Sequence, residues 1–292
     1  MRTLALAAVL AFLALPAHAA NINAVASFSI LGDMLARVGG DRVKVTTIVG
    51  PNADTHVYEP KPSDAVAVAS ADIFFVNGLG FEGWMERLVQ ATDYKGPLVV
   101  ASFGVATHTM DKDGETVTDP HAWQSLQNGV LYVENITKAL CDFDAEGCGT
   151  YRANAVAYEA EMIALDSEVR TEVAAIPQAQ RTVITTHDAF GYFGLAYGVT
   201  FLAPEGISSE SEASAAAVAR LIEQIRAVGV KAIFIENMTD GRLVQQIADE
   251  TGVALGGELY ADALSQPDQP AGTYLDMFRH NVSLLIPAMR GS

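Results

Sequence analysis

The sequence predicts an α/β protein of two lobes, each a largely parallel sheet with flanking helices, joined by one long rigid helix. Short β-branched runs alternate with amphipathic segments, which is the pattern of parallel α/β units. One long amphipathic stretch, 151–176, interrupts this alternation near the middle of the chain. A length of 292 residues is large for one hydrophobic core and ample for two.

The candidate strands fall into two sets, one on each side of the long stretch. They are residues 24–28, 43–49, 72–76 and 98–101 in the first set, and 182–186, 232–236 and 253–256 in the second. Helical segments separate them, and the clearest of these are 63–70, 82–92, 212–228 and 241–251. Each set therefore predicts a sheet with its own covering helices.

The long stretch repeats apolar residues at three- and four-residue steps, which predicts an amphipathic helix that ends before Pro177. At 1.5 Å per residue it would be about 39 Å long. A covering helix on a single sheet is the alternative, but the length favours a strut between lobes. The predicted units are an N-terminal lobe at 20–148, a linking helix at 149–176 and a C-terminal lobe at 177–292.

The first residues have the pattern of a secretory signal peptide. Arg2 precedes an apolar run at 4–15, and Ala-His-Ala at 17–19 matches a cleavage site, so we expect residues 1–19 to be removed. The apolar run is too short for a membrane helix. No cysteine follows the cleavage point, and we therefore expect a soluble periplasmic protein without a lipid anchor.

The net charge and the cysteines indicate which partners and which compartment the protein has. The formal net charge of −17 disfavours nucleic acid and anionic lipid as partners. The two cysteines, Cys141 and Cys148, predict a disulfide in an oxidising compartment. A pair of metal-binding thiolates is the alternative, but no other residues with ligand spacing lie nearby.

Three of the six histidines lie far apart, each at the end of a predicted element. His187 follows a strand directly, His56 follows a strand after a turn, and His121 leads into a helix. Asp262 follows the last strand. A lone histidine in such a position is more often a cap than a ligand, and their wide spacing excludes a zinc finger. Ligands of open α/β sheets bind beyond the carboxyl ends of strands, so together the four residues indicate a site between the lobes.

Several motifs resemble those of the metal-binding family of ABC-importer substrate-binding proteins, which serves zinc and manganese uptake. The matching segments are DTHVYEPKPSD at 54–64, DPHAW at 119–123, THDAFGYF at 186–193, IFIE at 233–236, LYADAL at 259–264 and GTYLDM at 272–277. The resemblance covers nearly the whole chain after the signal peptide. Thr55 departs from the family pattern, which has proline before the first histidine.

The resemblance implies a fold, a ligand set and partners. The fold is two α/β lobes bridged by one long helix, and the metal ligands are His56, His121, His187 and Asp262. The expected partners are a zinc ion, Zn(2+), as cargo and the permease of a metal importer, with a periplasmic metal-donor protein as a further partner. We expect a monomer.

Three imidazoles and one carboxylate favour zinc, whereas manganese prefers oxygen-rich sites. Manganese or iron binding within the same family is the alternative function. A zinc hydrolase is disfavoured because four protein ligands leave no open position for water, and the chain has no HExxH or GxSxG motif. An adhesin-like surface protein is disfavoured by the missing lipid-attachment cysteine.

Residues around the site give further expectations. The polar segment 107–118 predicts a mobile surface loop, in which His108 would make at most a weak accessory contact with the metal. Glu59, Glu236 and Asp188 are candidates to orient the ligands, because they lie beside ligands or at a strand end. Ordinary solvated acids or caps are the alternative for each of them.

Overall fold

The structure is a computed structural model that describes residues 22–112, 115–204, 214–230 and 232–291. The predicted signal peptide at 1–19 and the beginning of the predicted helix 212–228 lie outside these residues. None of the described helices is long and apolar enough to cross a membrane.

Strands and helices alternate along the chain as predicted. The strands are β1 (Ile22–Phe28), β2 (Val43–Val49), β3 (Ile73–Val76), β4 (Leu98–Val100), β5 (Thr109–Lys112), β6 (Glu115–Thr118), β7 (Thr182–Ile184), β8 (Thr200–Leu202), β9 (Ala232–Glu236) and β10 (Ala254–Leu259). The helices are α1 (Ser29–Gly39), α2 (Pro62–Ala69), α3 (Met85–Thr92), α4 (Leu126–Phe143), α5 (Cys148–Ala174), α6 (Gly191–Tyr197), α7 (Ala215–Val228), α8 (Arg242–Thr251) and α9 (Tyr274–Arg290).

Two parallel sheets of four strands form the centres of the two lobes. The first sheet has the order β2-β1-β3-β4, and the second has the order β10-β9-β7-β8. All pairings within them are parallel. Strand β3, with sequence IFFV, is buried along its whole length, as expected for an inner strand covered on both faces. The predicted fold class is therefore confirmed.

Helix α5 links the two lobes. It has 27 residues, about 40 Å at 1.5 Å per residue. Its buried residues are the apolar positions at three- and four-residue steps, among them Tyr151, Met162 and Val169, together with Asp166. The helix packs against α1 and α4 of the first lobe and against α6 and α9 of the second. Its apolar side chains are thus buried against both lobes at once, which supports the strut and contradicts the single-sheet alternative.

The disulfide reinforces the junction between α4 and α5. Cys141 and Cys148 are bonded, with an S–S distance of 2.07 Å. Between them, the Asp144 carboxylate accepts hydrogen bonds from Arg42 at 2.7 Å and from the Tyr151 hydroxyl at 2.7 Å. The turn that leads into the linking helix is therefore held both covalently and by an ion pair.

The prediction of a surface loop at 107–118 was wrong as to secondary structure. Strands β5 and β6 pair as an antiparallel hairpin, from Thr109 opposite Thr118 to Lys112 opposite Glu115. The β-branched residues of β6 favour a strand, and Asp113-Gly114 is a strong hairpin-turn sequence. Those two residues lie outside the described part of the chain. The polar composition obscured a pattern that was present in the sequence.

Candidate metal centre

The structure brings together His56, His121, His187 and Asp262. Each offers one ligand atom, and these four atoms all lie within 4.8 Å of one another. His121, His187 and Asp262 are fully buried, and His56 is 9% exposed. No other group of three or more such side chains comes together in the described ranges.

The four side chains come from four different segments, two from each half of the chain. His56 follows β2, and His121 lies between β6 and α4. His187 follows β7, and Asp262 follows β10. The site therefore lies between the lobes, as sequence reasoning predicted.

The distances between ligand atoms define a small cage. Asp262 Oδ2 lies 3.2 Å from His56 Nε2, 3.7 Å from His121 Nε2 and 3.1 Å from His187 Nε2. His56 Nε2 and His121 Nε2 are 3.2 Å apart. A tetrahedral ion with bonds of ~2.0–2.1 Å has ligand atoms about 3.3–3.4 Å apart. These four of the six separations lie near that spacing, and all six are within 4.8 Å.

The loops that contain His56 and His121 share the same backbone turn. Asp54 Oδ1 accepts a hydrogen bond from the backbone N–H of His56 at 2.8 Å. Asp119 Oδ1 accepts one from the backbone N–H of His121 at 2.9 Å. An aspartate that captures the amide two residues later closes an Asx turn. Each turn fixes the backbone of the histidine that it precedes.

Carboxylates also orient two of the imidazoles. Asp119 Oδ1 lies 2.7 Å from His121 Nδ1, and Glu236 Oε2 lies 2.5 Å from His187 Nδ1. A proton held on Nδ1 leaves the Nε2 lone pair of each ring directed at the cage. Two lone pairs and a carboxylate oxygen then face one another without a proton between them, so the neutral rings repel unless a cation occupies the centre.

When no metal is bound, protons on the histidines supply the positive charge in the site. Burial alone would lower the pKa of His121, but Asp262 and Asp119 outweigh burial and raise that pKa to about 9. Burial likewise opposes the charged form of His187, and Glu236 with Asp262 outweighs it, so the pKa of His187 is raised. Burial would raise the pKa of Asp262, whereas His121 and His187 lower it. The site is built to hold positive charge.

Aromatic rings wall the site on the side of the first lobe. Phe81 packs edge-on against His56, with ring centroids 4.9 Å apart. The ring centroid of Phe81 lies 6.0 Å from that of His121. Trp123 packs 5.3 Å from His121 and 4.6 Å from Phe81. Buried rings keep water away from the cage, which strengthens its electrostatic interactions.

The three carboxylates that we expected to orient ligands have different positions. Glu236 contacts His187, as predicted for an orienting residue. Glu59 is exposed on the surface, and Asp188 is partly buried beside the site, with its pKa raised by burial. Sequence reasoning missed Asp119, although the repeated Asp-x-His spacing at 54–56 and 119–121 was available as a signal.

His108 lies outside the cage. Its Nε2 is 2.9 Å from Asp119 Oδ2, and its ring lies 4.4 Å from that of Tyr192. The pKa of His108 is raised, mainly by Asp119. His108 therefore reaches the site through Asp119 and is not part of the group of four.

Comparison with known proteins agrees with this geometry. Residues 24–288 match the family model described as "ZnuA: Zinc-uptake complex component A periplasmic". The manganese-binding lipoprotein MntA of Halalkalibacterium halodurans is 36% identical, with 92% of this chain and 89% of that protein covered. The iron ABC transporter substrate-binding lipoprotein MtsA of Streptococcus pyogenes is 30% identical, with 90% and 87% covered.

Solved structures show the same fold. The manganese-bound periplasmic metal-binding protein from Candidatus Liberibacter asiaticus superimposes with a TM-score of 0.83 at 30% identity. The periplasmic zinc-binding protein TroA from Treponema pallidum gives a TM-score of 0.86 at 27% identity. In both cases 91% of this chain and 98% of the other are covered.

The fold, the family model and the relatives together identify the chain as a periplasmic metal-binding substrate-binding protein of an ABC importer. Within that class, the chain belongs to the periplasmic zinc-uptake component A (ZnuA) family. Members of this family are transport components and not enzymes, so the hydrolase alternative is excluded.

Proposed function

We propose that this protein captures zinc in the periplasm and delivers it to the permease of an ABC importer, with His56, His121, His187 and Asp262 as the metal ligands. The observation that carries the proposal is the cage of three imidazole nitrogens and one carboxylate oxygen, with four separations of 3.1–3.7 Å. Zinc takes N and O ligands tetrahedrally, and four ligands from the protein leave no position for a reactive water.

Manganese or iron is the second candidate, and one observation favours it. Asp262 Oδ1 is buried and has no hydrogen-bond partner among the described residues. If both carboxylate oxygens bound the metal, the site would supply three nitrogens and two oxygens, which suits a larger ion of higher coordination. The names of MntA and MtsA, which state manganese and iron, support the same alternative.

Elemental analysis of untagged protein, purified without chelators, distinguishes these candidates. We expect one zinc per chain, and we expect added zinc to displace manganese at equal concentrations because nitrogen-rich sites follow the Irving–Williams order. Protein that carries manganese from the cell, and keeps it against equimolar zinc, would identify manganese as the cargo.

Other properties stay predictions. They are lobe boundaries at 20–148 and 177–292, a monomeric state, transfer from a periplasmic metal-donor protein, and a mature form without a lipid anchor. MntA and MtsA are lipoproteins by name, so the anchor is a point on which this chain is predicted to differ. Mass spectrometry of the mature N-terminus tests it directly.

The pH dependence of zinc binding is expected to extend well above the ordinary histidine range. Because the pKa of His121 is about 9 in the metal-free protein, zinc must displace a proton at neutral pH. We expect the apparent affinity to rise by roughly tenfold per pH unit for each proton displaced. Chelator competition at several pH values measures this slope, and a flat response between pH 7 and pH 9 would contradict it.

The stability of the metal-free protein should fall as the pH rises, whereas the zinc affinity should increase. A raised pKa means that protonated His121 stabilises the fold fully below the unfolded value of about 6.5. That contribution is lost as the pH rises through about 9. The melting temperature of the metal-free protein should therefore fall over this range, whereas the zinc-loaded protein, whose histidines are already neutral, should not show this loss.

His108→Ala is expected to weaken zinc binding by less than about tenfold. Asp119 Oδ1 keeps its contacts with the Nδ1 and backbone N–H of His121, and only Oδ2 loses a neighbour. Asp119→Ala removes the orienting group itself and should cost 10–100-fold. Competition titration of the two variants measures the contrast, and equal losses would show that Asp119 cannot orient His121 without His108.

A further inference from the structure

The backbone carbonyl of Ala261, which directly precedes Asp262, accepts two hydrogen bonds from across the cleft. Trp123 Nε1 donates to it at 2.8 Å, and Gln124 Nε2 donates at 2.6 Å. Both donors lie in the 3-10 turn Ala122–Gln124 that follows His121. All these residues are at most 1% exposed. One carbonyl oxygen has two lone pairs, and here both are used.

These bonds tie a segment of the second lobe to the first. On its other side the segment is anchored to α9, because the side chain of Asn281 accepts from the Tyr260 N–H at 2.9 Å and donates to the Tyr260 carbonyl at 2.8 Å. Two residues before Asp262 are therefore anchored: Tyr260 to helix α9 of its own lobe, and Ala261 to the opposite lobe. The position of its carboxylate depends on both anchors.

The donors in the first lobe are themselves held in place. The Trp123 ring packs 4.9 Å from Phe28 and 4.6 Å from Phe81, and the Tyr274 hydroxyl donates to the Trp123 carbonyl at 2.6 Å. If Asp262 moved away from the histidines, both donors would lose their acceptor inside a dry interior. Leaving buried donors unsatisfied is costly, so this movement has a barrier.

We propose that Trp123 and Gln124 are positioning residues that clasp the Asp262 segment through the Ala261 carbonyl and thereby set how slowly bound metal is released. This assignment rests on the proposed function, since it concerns the fourth ligand of that site. The clasp touches the backbone beside the ligand and does not touch the metal. It should therefore slow the dissociation of the metal and leave the association rate unchanged. The affinity changes only because the dissociation rate does.

Gln124→Met tests the clasp, because methionine keeps the length and volume of the side chain and removes the amide donor. The matched control is Gln127→Met. Gln127 is exposed one turn further along, and its amide lies 3.4 Å from Asp166. Zinc release is followed by a chase with excess chelator. We expect Gln124→Met to speed release by about tenfold, corresponding to ~1.4 kcal/mol, with unchanged association, and the control to match wild type.

A double-mutant cycle separates positioning from a general structural role. In the Asp262→Ala background nothing remains to be positioned, so Gln124→Met should change release by less than about twofold. An equal acceleration in both backgrounds would overturn the proposal. If Gln124→Met does not fold, the isosteric Gln124→Glu replaces the donor with an acceptor that repels the Ala261 carbonyl, and release should again be faster.

The outcomes distinguish the two levels of the hypothesis. Wild-type protein that retains no zinc would contradict the proposed function, and the clasp with it. Wild-type retention combined with unchanged release from folded Gln124 variants would contradict the clasp alone.

Discussion

His187→Ala is expected to weaken zinc binding by about two to three orders of magnitude without unfolding the protein. Four-ligand zinc sites bind with ~10–16 kcal/mol, so one ligand in four carries roughly 2.5–4 kcal/mol. His187 is the only one of the three histidines supplied by the second lobe, and its Nε2 lies 3.1 Å from Asp262 Oδ2. Without it, the second lobe would hold the metal through Asp262 alone.

His280→Ala is the matched control for this variant. His280 lies on α9 in the same lobe, and its Nε2 contacts the backbone carbonyl of Glu258 at 2.9 Å. Its loss should leave zinc affinity unchanged. Competition titration gives the two affinities, and circular dichroism of the metal-free proteins shows whether both are folded. Near-wild-type affinity in a folded His187→Ala protein would remove His187 from the ligand set.

The fold could be predicted from the sequence because its signals are local. The β-branched runs gave seven of the eight strands in the two large sheets, and the periodicity of 151–176 gave the linking helix, whose observed limits are Cys148–Ala174. Strand β8, Thr200–Leu202, was missed because it has one β-branched residue, whereas β4 and β7, which are equally short, have two and three. The β5–β6 hairpin was missed because its strands are polar, although Asp-Gly at 113–114 is a sequence that favours hairpins.

The candidate ligands could be chosen from sequence for a similar reason, since each lies within a short motif at an element end. Their supporting contacts could be predicted only in part. Glu236 was found because it ends a predicted strand, whereas the clasp joins residues 137 and 138 positions apart. Such contacts depend on how the two lobes are placed relative to each other, and no local pattern encodes that placement.

The second large effect is expected at Glu236, where two substitutions should separate folding from metal binding. Glu236 is 1% exposed, and its Oε1 accepts from the backbone N–H groups of Thr186 at 2.9 Å and His187 at 3.0 Å. Glu236→Leu leaves both amides without an acceptor and removes the carboxylate that lies beside His187 Nδ1. We expect it to destabilise the metal-free protein by about 3–5 kcal/mol, measured by denaturant unfolding.

Glu236→Gln should behave differently, because the two amides fix the orientation of the new side chain. The glutamine oxygen must face the N–H groups of Thr186 and His187, since its NH2 group there would place donors against donors. The NH2 group is then directed at His187 Nδ1. That nitrogen becomes an acceptor, and the imidazole proton moves to Nε2, where it points at the cage and opposes the metal.

We therefore expect Glu236→Gln to lose less stability than Glu236→Leu, because both amides keep an acceptor, and to bind zinc about 10–100-fold more weakly. Its His187 should also titrate at a lower pKa, because Glu236 is the largest of the influences that raise it, and NMR of the metal-free protein measures this. Glu258→Gln is the control, an exposed glutamate on the adjacent strand β10. Unchanged zinc affinity in Glu236→Gln would mean that the tautomer of His187 does not limit metal binding.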